Sequence, residues 1–371
     1  MPEIQQQRRH ELVEQLHHDN IDTILVTNLF NIHYLTGLAS SNAALLVRSD
    51  GAAVLATDGR YATAASGAAP ELELIVERQV APVLAARAAR DGAARLGVEA
   101  HDVTLERAES IRASLAESGA SGEPPELVHF GRGVERLRAV KDESEIAALR
   151  QACAISCRAL EDLYAAGGFT GRTEREIARD LEWRMYAHGA DGVAFETIVA
   201  AGPNSAVPHH RPSDRPVQRG DLLKIDFGAA YGGYNADCTR TSMVGAEPAD
   251  WQREIYDIVA SAQRAGRAAL TVGDECIGVD NASREVIEAA GYGEQFGHGT
   301  GHGVGLEVHE APTLGYSATG TLADRMAVTV EPGIYLPGRG GVRIEDTLVV
   351  RAAGGPDLLT ETTKDLLVLD V

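Results

Sequence analysis

"DLLKIDFGAAYGGYNADCTRTSMVG", residues 221–245, sets two runs of strand-forming residues around a Gly-Gly pair, the signature of a hairpin turn. Each run carries one acid in an otherwise apolar setting: Asp226 in "KIDFG" and Asp237 in "NADCTR". The pattern returns in "RMAVTVEPGIYLPGRGGVRIEDTLVVRA", residues 325–352, with Glu331 in "TVEPG" and Glu345 in "RIEDT". The acids of a pair lie on opposite strands, 11 positions apart in the first hairpin (237 − 226) and 14 in the second (345 − 331). Paired across a ladder, two acids project from one face of the sheet. Two such hairpins would aim four carboxylates at one point.

The flanking sequence repeats as well. Before the first hairpin, "KDESEIAALRQACAISCRALEDLYAAGG" (141–168) predicts a helix capped by Asp142 with Glu145 in the capping-box position, ending at Gly167 and Gly168. "TEREIARDLEWRMYAHG" (173–189) predicts a second, boxed by Thr173 and Glu176 and terminated by Gly189. "FETIVAAG" (195–202) reads as a strand. Before the second hairpin come helical patterns at 249–270 and 275–293 and a glycine-rich loop. The C-terminal part is therefore two halves of helix, helix, strand and hairpin. Upstream, short apolar runs at 22–28, 43–49, 51–58, 72–78, 94–100 and 127–131 predict strands, and 8–20, 80–92 and 105–119 predict helices. That alternation is the mark of a small α/β domain, and the polar stretch 118–126 reads as a surface loop. The expected fold class is α+β, with an N-terminal domain over residues 1–133 and a second domain over residues 140–371.

Four ionised carboxylates in a partly buried cluster repel one another, and desolvation adds to the cost; protonation or a cation relieves it. "GHGTGHGVGLEVHE", residues 297–310, has five glycines and three histidines in fourteen positions. It contains no phosphate-loop pattern and no lysine or arginine to meet an anion. A histidine from it could complete a metal shell while its glycines allow the backbone to crowd close. Oxygen ligands suit Mn²⁺ or Mg²⁺, the imidazole admits Co²⁺ or Zn²⁺, and a histidine is a poor ligand for calcium.

The formal net charge of −20 excludes a nucleic-acid partner, which needs clustered lysine and arginine. No run approaches 18 apolar residues and the N-terminus has no apolar core of a secretory signal, so a cytoplasmic protein without a membrane span is expected. The four cysteines form no C-x-x-C pair and are expected to be reduced and structural.

"LLKIDFG", "NADCTRT", "GHGTGHGVGLEVHE", "VTVEPGIY" and "VRIEDT" occur in the order and spacing of the pita-bread metallopeptidases, which include aminopeptidase P, Xaa-Pro dipeptidase and methionine aminopeptidase. "NIHYLTGLASSNAALLV" and "TDGRY" resemble the N-terminal, creatinase-like domain of the Xaa-Pro peptidases in that family. The resemblance implies a pseudo-two-fold catalytic domain with two divalent metal ions per chain, Mn²⁺ expected first and Co²⁺, Zn²⁺ or Mg²⁺ as alternatives. It implies Asp226 on one metal, Asp237 and Glu345 bridging, and His302 and Glu331 completing the second, with a bridging hydroxide as nucleophile. Glu331 would also relay the proton. His209 and His309 match pocket histidines near the scissile bond; Arg343 and Tyr335 match residues that orient the ligands, and His298 a position that often lines the site. His210 is expected at the periphery or facing solvent, and His10, His17, His18 and His101 at the surface. The implied substrates are short proline-containing peptides with a free N-terminus, cleaved as dipeptides or from longer chains, and the implied assembly is a homo-oligomer, a dimer first. The alternatives are a binding protein of the same fold without peptidase activity and an aminopeptidase without proline preference.

Overall fold

In a computed structural model, which describes residues 2–118 and 123–370, the chain divides into two compact units, residues 1–138 and 139–371. The first runs α1 (Pro2–His18), β1 (Thr23–Val26), α2 (Leu29–Thr36), β2 (Ala43–Arg48), β3 (Ala53–Thr57), α3 (Ala62–Ala68), β4 (Glu73–Val76), α4 (Val80–Arg90), β5 (Arg95–Val98), α5 (Leu105–Glu117), β6 (Glu126–His129) and α6 (Gly133–Ala139). One six-stranded sheet takes the order β4-β3-β2-β1-β5-β6, with β1, β5 and β6 parallel and β2 antiparallel to both β1 and β3. Every strand expected here is present. Helices α2 and α3, of 8 and 7 residues, were not anticipated, because two turns are too short for a 3.6-residue period to declare itself. Of the loop expected over 118–126, residues 119–122 lie outside the described residues. His101 lies at the surface as expected, and its Nε2 is 2.7 Å from Oε1 of Glu135, which joins Asn31 and Glu99 in a buried polar network beneath it. Burial pushes the Glu99 carboxyl up to about 7.

The second unit runs α7 (Glu143–Ala166), α8 (Glu174–Ala187), β7 (Gly192–Val193), β8 (Ile198–Ala201), β9 (Leu222–Phe227), β10 (Ala229–Tyr231), β11 (Tyr234–Asn235), β12 (Cys238–Val244), α9 (Asp250–Ala268), α10 (Cys276–Ala289), β13 (Gly301–Gly303), β14 (Glu310–Leu314), β15 (Ala327–Val330), β16 (Gly333–Leu336), β17 (Gly340–Arg343), β18 (Asp346–Val349), β19 (Asp357–Leu358) and β20 (Val368–Leu369). Its two main sheets, β8-β9-β12-β20 and β14-β13-β15-β18-β19, repeat one plan: β8, β9 and β12 correspond to β13, β15 and β18. Helices α7 and α8 accompany the first half, α9 and α10 the second. Both expected capping boxes form. Asp142 Oδ1 accepts from the amides of Ser144 and Glu145, and Glu145 Oε2 accepts from the amide of Asp142 at 2.9 Å; Thr173 and Glu176 reciprocate in the same way. The pairing of β20 with β12 was not foreseen, since a two-residue strand leaves no periodicity to read. All four cysteines are buried and unpaired. Among the described residues no helix is long and apolar enough to cross a membrane.

The halves are locked by polar side chains where β12 meets β17 and β18. Arg240 of β12 donates to Asp346 Oδ1 of β18 at 2.8 Å, with both side chains almost wholly buried, and to the carbonyls of Thr360, Thr362 and Thr363 of the C-terminal segment. Burial opposes ionisation of Asp346, but the cations Arg240, Lys364 and Arg267 hold its carboxyl below the usual range. Thr347 Oγ1 donates to the Asp237 carbonyl at 2.7 Å, and Thr241 Oγ1 to the Arg343 carbonyl at 3.0 Å. Removing one member of a buried ion pair strands the other charge, at a cost of about 3–5 kcal/mol. A lost N-cap costs about 1 kcal/mol. Arg240→Met is therefore expected to shift a urea unfolding midpoint well beyond Asp142→Ala in the same buffer; similar shifts would show that the Arg240–Asp346 pair is not the lock.

Candidate metal centre

Asp226 is the fifth residue of β9 and lies opposite Thr239 of β12. Asp237 stands just before β12, two residues from Thr239 and so on the same face. The two acids are thus offset along the sheet, where direct pairing across the ladder was expected; the chain between β9 and β12 leaves the ladder to form β10 and β11. In the second half Glu331 follows β15 and Glu345 precedes β18, one step past the Val330–Asp346 pair. Pro332 ends the strand there, because proline has no amide proton to donate.

His302 enters from β13. Its Nε2 lies 3.6 Å from Asp237 Oδ2 and 3.3 Å from Glu331 Oε1, while Nδ1 lies 3.0 Å from the Gly303 carbonyl. Donor atoms of Asp237, His302 and Glu345 all fall within 4.8 Å of one another. The glycines on either side of His302 are explained by close approach. A Cβ on Gly301 would lie 2.0 Å from the Thr329 carbonyl oxygen, and one on Gly303 2.1 Å from that of Ala311. Strand β13 is pressed between β14 and β15, and only glycine lets it pass.

The acids are oriented by neutral and cationic donors. Thr239 Oγ1 donates to Glu345 Oε2 at 2.7 Å and Thr329 Oγ1 to Glu331 Oε1 at 3.3 Å. Arg343 donates to Asp226 Oδ2, to Thr239 Oγ1 at 3.0 Å and to the Tyr335 hydroxyl at 2.9 Å. Asp226 Oδ1 is buried and has no hydrogen-bond partner. A buried carboxylate oxygen with no donor is poorly satisfied in the protein alone and well suited to a cation. Burial, and then the charges of the neighbouring acids, push Asp237 and Glu345 well above the usual carboxylate range. Glu331 goes the other way: burial opposes its ionisation, but the hydrogen bond and charge of His302 hold it down to about 2. Burial would lower His302, yet Glu331 keeps it above its ordinary value. Its Nδ1 proton is committed to a carbonyl, so the Nε2 lone pair faces carboxylates and calls for a proton or a metal.

His298 has another setting. Arg343 donates to the Tyr335 hydroxyl, which is left to donate to His298 Nε2 at 2.9 Å, and Nδ1 donates to the Gly299 carbonyl at 2.8 Å. Burial keeps that ring below its ordinary pKa. His309 packs edge-on to His302 with ring centres 4.3 Å apart, and burial lowers it too. His209 is exposed at the rim, on a segment pinned from beneath: Lys224 Nζ donates to the Val207 and Pro208 carbonyls at 2.7 and 3.2 Å, and Arg343 Nη1 to Pro208 at 3.2 Å. These groups open on a cavity of about 400 Å³ walled on its apolar side by Phe195, Ile198 and Val308. His210 sits at the periphery, Nε2 2.8 Å from Glu174 Oε2.

All eleven of the singled-out positions, Asp226, Asp237, His302, Glu331, Glu345, His209, His309, His298, Arg343 and Tyr335 with peripheral His210, fall in or against this cavity and its rim. Sequence reading missed Phe195, Ile198, Val308, Lys224, Glu174 and the orienting threonines. Thr239 had a signal, lying two residues from Asp237 in a strand; the apolar lining had none, since apolar residues in strands are ordinary core.

The model of metallopeptidase family M24 matches residues 147–352, and the model of the creatinase/prolidase N-terminal domain matches residues 8–140. The chain is 35% identical to the Xaa-Pro dipeptidase of Pyrococcus furiosus over 97% of its own length and 99% of that protein's. It superposes on the Xaa-Pro dipeptidase from Bacillus anthracis with a TM-score of 0.92 at 36% identity, covering 98% of this chain and 100% of that one. It superposes on the X-Pro aminopeptidase from Thermotoga maritima with a TM-score of 0.87 at 35% identity, covering 97% and 99%. With a matching family model over more than half its length, the chain belongs to metallopeptidase family M24.

Proposed function

We propose that the protein is a metal-dependent exopeptidase that hydrolyses the bond between an unblocked N-terminal residue and a following proline, with residues 140–371 as its catalytic domain and 1–133 as an accessory domain. The observation that carries the reading is the convergence of Asp226, Asp237, Glu331, Glu345 and His302 in one cavity, with Asp226 Oδ1 left unsatisfied. Relatives that share nearly the whole chain, a dipeptidase and an aminopeptidase among them, act on Xaa-Pro bonds by name.

Asp226, Asp237, His302, Glu331 and Glu345 would hold two divalent ions, manganese expected first. When bound, such ions polarise a carbonyl and bring the pKa of a water to around 7. The chain's own groups do the rest. Glu331 takes the water proton on its carboxylate and passes it to the leaving nitrogen. His209 and His309 donate hydrogen bonds to the oxygen that becomes negative. Arg343, Tyr335 and His298 form the chain of donors that holds Asp226 and the cavity wall in place. Phe195, Ile198 and Val308 offer an apolar face to a pyrrolidine ring, whose nitrogen has no proton for a backbone partner. The substrate's free amine meets an acidic cluster, the complement a cationic terminus requires.

Chelation should abolish hydrolysis and Mn²⁺ or Co²⁺ should restore it. Metal at a hundred times its dissociation constant should also stabilise the chelated protein by about 2.7 kcal/mol. Full activity after exhaustive metal stripping would end this reading. Ala-Pro-Ala should be cleaved far faster than Ala-Ala-Ala, and its N-acetyl form not at all; equal rates on the two tripeptides would mean a broader aminopeptidase. Asp226→Asn should lose metal and activity together. His209→Ala should retain metal by elemental analysis and lose kcat by about 10²–10³-fold, the cost of one transition-state hydrogen bond. Metal loss in His209→Ala would make it a ligand.

A further inference from the structure

We infer that the site is built for peptides of three or more residues rather than for dipeptides, and that His210 and Arg211 form the subsite that receives the chain beyond the proline. The inference rests on the Xaa-Pro reading above and names the substrate class within it.

A dipeptide presents its carboxylate one residue past the scissile bond, still inside the cavity. Two divalent ions would balance the charge of Asp226, Asp237, Glu331 and Glu345, which leaves Glu196 at the cavity's edge as an unbalanced acid, and among the described residues no lysine or arginine lines the cavity to receive a carboxylate. Its nearest cations are engaged elsewhere: Arg343 with Asp226, Tyr335 and Thr239, and Lys224 with two backbone carbonyls. A longer peptide places a neutral amide at that point and carries its carboxylate outward by roughly 3.3–3.6 Å per residue.

There is a path for it. A second cleft, of about 210 Å³, is lined by Glu196, Ile198, His209, His210 and Arg211, and shares the first three of these with the main cavity. Its wall is organised around Glu174, whose side chain is fully buried and accepts from the Ala201 amide, Asn204, Ser213 and His210 Nε2. The carboxylate fixes which imidazole nitrogen carries the proton, leaving Nδ1 with no hydrogen-bond partner among the described residues. That nitrogen suits a peptide N–H, which an Xaa-Pro dipeptide does not have beyond its amine. Arg211 stands beside it at the mouth, 85% exposed and only loosely paired with Glu196 at 3.3 Å, the place for a C-terminal carboxylate to meet a positive charge.

The test compares kcat/KM for Ala-Pro, Ala-Pro-Ala and Ala-Pro-Ala-amide on manganese-loaded full-length protein and on two variants. The wild type should favour Ala-Pro-Ala over Ala-Pro by about 10-fold or more. His210→Ala should lower that ratio by about 3- to 10-fold, the range of one hydrogen bond. Arg211→Gln should lower Ala-Pro-Ala against its amide by about 2- to 5-fold through KM, as fits an exposed pair. A structural disturbance would lower all three substrates together and leave the ratios alone. Ala-Pro cleaved as fast as Ala-Pro-Ala, or ratios unmoved in both variants, would overturn the inference while leaving the Xaa-Pro reading standing. Failure to cleave any Xaa-Pro peptide would overturn that reading and the inference with it. Arg211 is exposed, so its variant folds and decides the matter even if His210→Ala does not.

Discussion

Four carboxylates and an imidazole nitrogen face one another with their side chains mostly buried, and the rest of the catalytic unit is arranged to make that tolerable. Like charges at this separation and burial cannot all persist in the protein alone. The opposed shifts show the strain being shared out: Asp237 and Glu345 are pushed toward the protonated form, while Glu331 stays ionised by drawing a proton onto His302. A polar cluster of this kind specifies its own occupant. It is poorly satisfied when empty and well satisfied by cations.

Holding such a cluster together requires a scaffold stronger than the repulsion. The two halves supply it by facing β12 toward β17 and β18 and joining them through groups that are fully engaged: Arg240 with Asp346, Thr241 with the Arg343 carbonyl, Thr347 with the Asp237 carbonyl. These contacts fall beside the acids. Thr239 illustrates the economy: it sits opposite Asp226, donates to Glu345, and accepts from Arg343, which in turn grips Asp226. Displacing one member therefore moves carboxylates contributed by both halves.

The histidines show how surroundings divide labour among identical side chains. His302 has one nitrogen tied to a carbonyl and the other aimed at acids, the posture of a ligand. His298 is satisfied on both nitrogens and serves packing and alignment. His209 is free at the rim on a backbone that Lys224 and Arg343 hold still, and His210, its neighbour in sequence, is turned to a buried carboxylate. The chain turns at Pro208 and His209, so that both histidines line the second cleft while only His209 also reaches the main cavity.

By itself the sequence determined the two-fold plan of the catalytic unit, the four acids, the glycine-flanked histidine and both capping boxes. These are local or periodic features: Gly-Gly turns, S/T/D-x-x-E caps, and acids whose placement in apolar strands is anomalous wherever the strands end up. Only the tertiary structure decided that Asp226 and Asp237 are offset rather than opposed, because strand register depends on where the chain leaves the ladder. It likewise decided that Glu135, the partner of the exposed His101, sits in a buried network with Asn31, that Phe195, Ile198 and Val308 wall the cavity rather than fill a core, and that β20 joins the first sheet. Each of these depends on contacts between residues far apart in the chain, and a residue's neighbours across such a distance leave no mark on the residues beside it.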